Sequence, residues 1–285
     1  MSSIAVRVPA SSANLGPGFD VLGMALDLPA DVGTGDPPPG ARAADEHHPA
    51  TIAFRALGGT GALWVRTSIP MSRGLGYSGA VRVGGAAVAA IQGAPGRDVA
   101  DAVRGPDVLD VAARLEGHGD NALASQWGGV TLYDRERPVA LRLAFDPEPS
   151  VVAWSPLDVM ASTNRSRAAL PAAVDRADAT FNVARVAMLV AAFERGDVEL
   201  LRFAMDDRLH QRVRLAHLPG SAEALEVGVD AGAWAAWLSG SGPTVAFLCA
   251  PADASRVATA LPPGGQVRTM AIDRLGVRPI DPWSA

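Results

Sequence analysis

Ser11, Ser12, Asn14 and Asp20 fall in one short stretch threaded by Gly16, Pro17 and Gly18, directly after the apolar run Val6–Ala10. Hydroxyls, an amide and a carboxylate packed so closely are expensive to desolvate unless they bind one another or a ligand. The glycines let the backbone reach dihedrals closed to other residues and come close to a bound group. A second glycine-rich stretch is Pro70-Met71-Ser72-Arg73-Gly74-Leu75-Gly76-Tyr77-Ser78-Gly79-Ala80. It follows the strand-like run Leu63–Ile69 and precedes the small, apolar, helix-compatible run Val81–Ile91. Strand, glycine loop and helix is the context a phosphate cradle requires. Free N–H groups at the helix start face the anion, and the helix dipole adds about half a positive charge there.

Three further segments carry chemistry-bearing side chains. Glu116-Gly117-His118-Gly119-Asp120-Asn121 follows a stretch in which Val108, Ala112 and Leu115 share one helical face, so Glu116 is expected at a helix end. Asp110, earlier on the same helix, reads as a solvated charge. Residues 162–171 and 213–219 each carry an arginine, Arg167 and Arg214, shortly before a Leu-Pro pair. Ser239-Gly240-Ser241-Gly242-Pro243-Thr244 lies between Trp237-Leu238 and the strand-like run Val245–Leu248.

The order and spacing of these segments resemble the GHMP (galactokinase, homoserine, mevalonate, phosphomevalonate) small-molecule kinases, and within them the homoserine kinases, over residues 4–280. The resemblance implies transfer of the γ-phosphoryl group of ATP to the side-chain hydroxyl of L-homoserine, a step toward threonine. It assigns Asn14, Asp20, His118, Asn121 and Thr163 to the acceptor. It assigns Arg167 and Arg214 to the acceptor carboxylate, where two guanidinium forks give geometrically specific recognition. Pro70, Arg73, Gly74, Leu75, Gly76, Tyr77, Ser78, Gly79 and Ala80, with Ser239, Gly240, Ser241 and Gly242, would surround the ATP phosphates. Ser78 and Glu116 would hold Mg2+, which bridges nucleotide phosphates and neutralises developing charge. Asn121 stands where other branches carry an aspartate base. An amide accepts no proton, so catalysis would rest on positioning and electrostatics, as a loose phosphoryl-transfer transition state allows.

The chain departs from the family at four places. Tyr77 replaces the first serine of G-L-G-S-S-A-A and Gly79 the first alanine; Gly119 replaces the proline of E-G-H-P-D-N. Residues 29–50, with Pro37-Pro38-Pro39 and His47-His48, are short and are expected to be a loop with little regular structure. Two other functions share the same residues: a kinase for another small hydroxylated amino acid, and a ligand-binding relative without catalysis. Tyr77 and the short 29–50 segment point to the second; Glu116 and Ser78 point away from it.

The elements that must position these residues suggest a two-domain α+β chain. Residues 1–147 would form a GHMP half of the ribosomal-protein-S5-domain-2 type, and residues 148–285 a ferredoxin-like half, with Pro147 and Pro149 at the boundary before a strand at Val151–Trp154. Phe181, Ala184, Met188 and Ala191 form one face of a helix ending near Gly196, and Asp197 then caps a second helix. A helix at 222–231, a strand at 245–249, a helix at 252–260 and strands within 267–280 complete the expected order.

Composition narrows the class. Hydrophobic content is 48% and charged content 19%, which excludes overall disorder. Net charge is −5 and the basic residues are dispersed, so no nucleic-acid or anionic-membrane partner is expected. Every one of the 25 basic residues is arginine, which excludes a Schiff base and a P-loop of the G-x-x-x-x-G-K type. No apolar run reaches the ~20 residues of a membrane span, and no basic region followed by an apolar one marks a secretory signal. Cys249 is the only cysteine; no internal disulfide or zinc pattern is possible, and a cytoplasmic setting is expected. The resemblance further implies a homodimer.

Overall fold

A computed structural model describes residues 3–160, 163–281 and 283. β1 (Ala5–Ala13) and β2 (Leu22–Gly33) pair antiparallel along most of their length. β3 (Arg42–Ala44) and β4 (Leu63–Thr67) extend the sheet on one side of β2, while β5 (Val130–Leu132) and β6 (Val139–Leu141) form a branch from its other end. Five helices belong to this half: α1 (Pro49–Ala56), α2 (Tyr77–Gly93), α3 (Val99–Val103), α4 (Pro106–Glu116) and α5 (Asp120–Trp127). α2 and α5 lie against β1 and β2, and the other three pack on α2. The run of small residues in α2 permits this crowding. A Cβ on Gly85 would stand 2.0 Å from the carbonyl oxygen of Ala50 in α1, so only glycine allows the two helices to approach so closely.

The second half begins with β7 (Ser150–Pro156) and continues through α6 (Thr163–Ala168), α7 (Arg176–Arg195), α8 (Val198–Ala204), α9 (Gln211–Leu215) and α10 (Pro219–Asp230). β8 (Ala235–Leu238), β9 (Val245–Cys249), α11 (Ala254–Ala260) and β10 (Gly265–Met270) follow. All pairings are antiparallel and the order is β10-β7-β9-β8, that of a ferredoxin-like sheet. Alternation along β7 splits its side chains. Val151 and Ala153 join the core that extends through the first half, and Val152 and Trp154 join a second core beneath α10 and α11. Finally β11 (Arg278–Pro279) returns to the first sheet and pairs with β1. No described helix is long and apolar enough to cross a membrane.

Several local expectations hold. Gly196 is left-handed after α7, and the Asp197 side chain accepts the Leu200 N–H at the start of α8. Others need correction. Ser11 and Ser12 belong to β1 itself, paired with Ala25 and Met24 of β2, because their hydroxyls find partners that make burial in a strand tolerable. Residues 29–50 are more regular than expected, carrying the last part of β2, all of β3 and the start of α1. Pro29 faces Pro9 next to a register shift, an irregularity that tolerates residues lacking an N–H.

Gly76 joins the phosphate loop to α2 with φ +68°, and a Cβ there would lie 2.2 Å from Ser11 Oγ and 2.8 Å from the Ser11 carbonyl oxygen. Gly76→Ala is therefore expected to destabilise the fold by about 1–3 kcal/mol, read as a lower urea midpoint at unchanged m-value.

Candidate active site

Neighbouring residues of a strand point to opposite faces, so the buried hydroxyls of Ser11 and Ser12 reach in different directions. Ser11 Oγ donates to Asn121 Oδ1 at 2.9 Å and accepts from Ser125 Oγ at 3.2 Å, both on α5. Ser12 Oγ accepts from Trp237 Nε1 at 2.8 Å and lies 2.7 Å from Ser239 Oγ. Ser239 Oγ in turn donates to the Gly74 carbonyl at 2.6 Å. Segments far apart in sequence are thus clasped around the end of β1.

The loop after β1 is held in a sparsely populated conformation. Asn14, Leu15 and Asp20 have φ of 72°, 46° and 60°. Asn14 fixes the loop by accepting the Asp20 N–H at 3.1 Å and donating to the Gly240 carbonyl at 2.8 Å. A cavity of about 540 Å³ opens between this loop, the phosphate loop and the 239–242 turn.

At one end of the cavity α2 begins without any side-chain cap. Its first-turn N–H groups, on Tyr77, Ser78 and Gly79, are left for an anion, whereas the Ala80 N–H already bonds to Gly76 at 2.9 Å. Tyr77, which replaces the usual serine, is tied back to α1. His48 Nδ1 accepts the Ala50 N–H at 3.1 Å, so its Nε2 carries the proton and donates to Tyr77 Oη at 2.9 Å. Arg73 does not reach toward an anion: its guanidinium donates to the carbonyls of Pro156, Leu157 and Val159 at the end of β7. Pro70, Leu75, Gly240, Ser241 and Gly242 line the cavity; Ala80 and Ser239 are fully buried behind it.

Ser78 Oγ donates to Glu116 Oε1 at 2.5 Å, and the guanidinium of Arg82 touches both atoms. A hydroxyl and a carboxylate are the hard oxygen donors that Mg2+ accepts, and Mg2+ draws most of its remaining ligands from phosphate and water. The pair fits such a cation. Among the described residues no cluster of three or more His, Cys, Asp or Glu side chains could form a metal cage of its own.

At the other end, His118 Nδ1 lies 2.6 Å from Asp120 Oδ1, which also accepts the Asn121 N–H at 2.8 Å. Asp120 thereby orients both. Arg167 and Asp20 form a bidentate pair at 2.8 and 2.5 Å, and this hydrogen bonding raises the Arg167 pKa. Arg214 is 4% exposed, and among the described residues it makes no ion pair. Its hydrogen bonds go to neutral acceptors, His210 Nδ1 at 3.0 Å and the Gly240 carbonyl at 3.2 Å. Burial first, and then the charge of Arg167, pull its pKa down to about 10. Both guanidinium carbons lie within 6 Å of the Phe19 ring, Arg214 at 5.3 Å and Arg167 at 5.7 Å. Thr163 opens α6, and its side chain lies outside the described residues.

The sequence motifs therefore converge; Arg73 lines the cavity with its guanidinium held by the chain at the end of β7, and Ala80 and Ser239 lie behind the wall. Phe19, Asp120, Arg82 and His210 join the site beyond the residues expected from the sequence. Asp120 sits inside the quoted Glu116–Asn121 motif. Arg82 stands one helical turn after Ser78, which is the available signal for it.

Comparison with known proteins gives a consistent picture. The family model for GHMP kinases C terminal matches residues 189–264. A homoserine kinase of Desulfitobacterium hafniense is 38% identical over 282 residues, covering 90% of this chain and 91% of that protein. A homoserine kinase of Moorella thermoacetica is 40% identical over 269 residues, covering 86% of each. The crystal structure of homoserine kinase from Cytophaga hutchinsonii superposes with a TM-score of 0.83 over 98% of both chains at 24% identity, a likeness of fold.

His210 is the hinge of the buried arginine. Its ring stacks on Phe19 with centroids 5.0 Å apart, its Nε2 donates to the Gly16 carbonyl at 2.8 Å, and Asp207 accepts its backbone N–H at 2.9 Å. Because Nδ1 accepts from Arg214, only the neutral ring fits. Burial lowers its pKa below 6.5, outweighing the nearby Asp207 charge. The unfolded imidazole, titrating near 6.5, then takes up its proton first. The stabilisation is complete above that value and is lost as pH falls from about 6.5 toward the folded pKa. Equilibrium unfolding between pH 7.5 and 5 should show this loss, with a shallower pH slope in His210→Gln.

Proposed function

Because the chain belongs to the homoserine kinase family of the GHMP kinases, we propose that it moves the γ-phosphoryl group of ATP to the side-chain hydroxyl of L-homoserine, forming O-phospho-L-homoserine. The observation that carries this reading is Arg214. A buried guanidinium without an ion-pair partner among the described residues, lining the cavity that holds an uncapped helix N-terminus, calls for a small anionic acceptor beside a phosphate donor.

In this reading the first-turn N–H groups of Tyr77, Ser78 and Gly79 hold the nucleotide phosphates, with Ser241 and Gly242 closing over them. Ser78 and Glu116 would hold Mg2+, which when bound supplies charge neutralisation between the phosphates. The Asp20–Arg167 pair is charge-equivalent to the amino-acid zwitterion. When the acceptor enters, Arg167 exchanges Asp20 for the acceptor carboxylate, shared with Arg214, and Asp20 takes the ammonium. His118 and Asn121, fixed by Asp120 and Ser11, face the hydroxyl. Asn121 cannot act as a base, and a loose transition state demands little of one. Alignment of hydroxyl and phosphorus is then the main contribution of the chain, and the proton leaves late to phosphate or solvent. A place in threonine synthesis, a cytoplasmic setting and a homodimer belong to the same reading.

Mg-ATP-dependent ADP release should occur with L-homoserine and fall to background with L-serine, L-threonine and mevalonate; folded protein inactive with homoserine would reject the reaction. Arg214→Ala should raise the KM for homoserine about 100-fold, the scale of a lost charged contact, while leaving the KM for ATP within about twofold. The reverse pattern would remove Arg214 from the carboxylate. Glu116→Gln should lower kcat at ordinary Mg2+, and an unchanged rate would take Glu116 out of the metal shell.

A further inference from the structure

Arg82 occupies an unexpected place in α2. The helix is otherwise built of small and apolar residues on its packed side, yet Arg82 turns back one helical turn to touch Ser78 Oγ and Glu116 Oε1 together. Its side chain is 17% exposed and that of Glu116 is 12% exposed, so solvent screens the contact weakly. Its Nε is buried with no hydrogen-bond partner. The guanidinium is therefore held through its contacts with Ser78 and Glu116, and it leaves one donor unsatisfied to stay there, an arrangement that needs a strong anionic partner. Glu116 gains little from its other neighbour, since His118 Nε2 stands 3.9 Å from Oε2.

Ser78 and Glu116 are the two oxygens that the proposed function gives to a divalent cation, and the inference rests on that reading. Arg82 covers the face that Ser78 Oγ and Glu116 Oε1 share, so a divalent cation brought to both oxygens would meet the positive charge of the guanidinium at close range in a poorly solvated site. We propose that Arg82 is a resident cation that competes with divalent metal for Glu116 and Ser78. Metal loads only as the guanidinium withdraws, and in the metal-free protein Arg82 neutralises the carboxylate beside the phosphate cradle. The coupling is reciprocal: whatever Arg82 gains from Glu116 is subtracted from the affinity for metal, and metal binding must release Arg82.

The test is a Mn2+ titration of the full chain saturated with a non-hydrolysable ATP analogue, with free Mn2+ read by electron paramagnetic resonance. Arg82→Met keeps the apolar stem and removes the charge; it should bind Mn2+ about tenfold more tightly than the wild type, the scale of one charged hydrogen bond. Arg82→Lys, which keeps a cation, should stay nearer the wild type. Unchanged or weaker Mn2+ binding in Arg82→Met overturns the proposal. Should that variant fail to fold, the wild-type protein decides: the Arg82 side-chain Nε–H resonance must move on saturation with Mg2+ and nucleotide, relative to nucleotide alone, and a fixed resonance overturns the proposal. Homoserine-dependent ADP release on the same wild-type sample separates the two readings. Turnover with Mn2+ affinity unchanged by Arg82→Met rejects the competition and leaves the reaction standing; tighter Mn2+ binding with no wild-type turnover does the reverse.

Discussion

The rest of the site depends on the need to satisfy two hydroxyls that have no access to water. Ser11 and Ser12 are both 0% exposed at the end of β1. A buried polar group without a partner costs about 1–3 kcal/mol, and adjacent strand residues cannot share a partner on one face. One hydroxyl must therefore recruit α5, and the other must recruit β8 and the turn after it. Asn121 arrives at the cavity because Ser11 holds it there. The 239–242 turn lies over the phosphate loop because Ser239 passes the Ser12 hydrogen bond on to Gly74. Away from the cavity, β2 is tied to the chain after β10 by the Leu26–Ile272 bridge; at the cavity, this polar clasp holds the two halves together.

Charge pairing follows a consistent pattern around the cavity. Arg167 is matched by Asp20 and Arg82 by Glu116, and each carboxylate partner is one the proposed ligands would also address. Arg214 differs, being more buried and bonded to a neutral ring and a carbonyl. Pairs that are complete before a ligand arrives keep the charged groups soluble in the protein interior and make ligand entry an exchange of partners rather than a fresh desolvation. Such exchange favours ligands carrying both signs of charge.

Much of this was legible in the sequence, and what was not has physical causes. The phosphate loop and the 239–244 turn announce themselves because positive-φ glycines and helix-start geometry leave a compositional trace, and Gly74, Gly76, Gly240 and Gly242 all have positive φ. The α7–α8 junction was readable for the same reason, through Gly196 and Asp197. In the 29–50 segment Pro37–Pro39 do lie in a loop, between β2 and β3, but the loop is shorter than expected, because Pro29 is accommodated in β2 next to a register shift and β3 is only three residues long. Ser11 and Ser12 looked like loop residues because their partners come from 110 and 227 positions away, a separation no local pattern records. Arg82 lies inside a helix whose sequence is otherwise largely apolar, and the Arg73 guanidinium is taken up by the chain at the end of β7, again a long-range contact that local pattern does not show.

The return of β11 to the first sheet bears on what keeps that sheet closed. The outer edge of β1 is covered by residues far along the chain: Pro279 and Arg278 pair with Val6 and Arg7, the Ile280 N–H donates to the Ala5 carbonyl, and the Asp27 N–H of β2 donates to the Ala271 carbonyl. Without that covering segment the first half would present an open strand edge, the feature that templates association between chains. Pro9 and the register shift beside it interrupt that edge and make it a poor template. A chain truncated before residue 278 would keep its site motifs while leaving β1 unsealed.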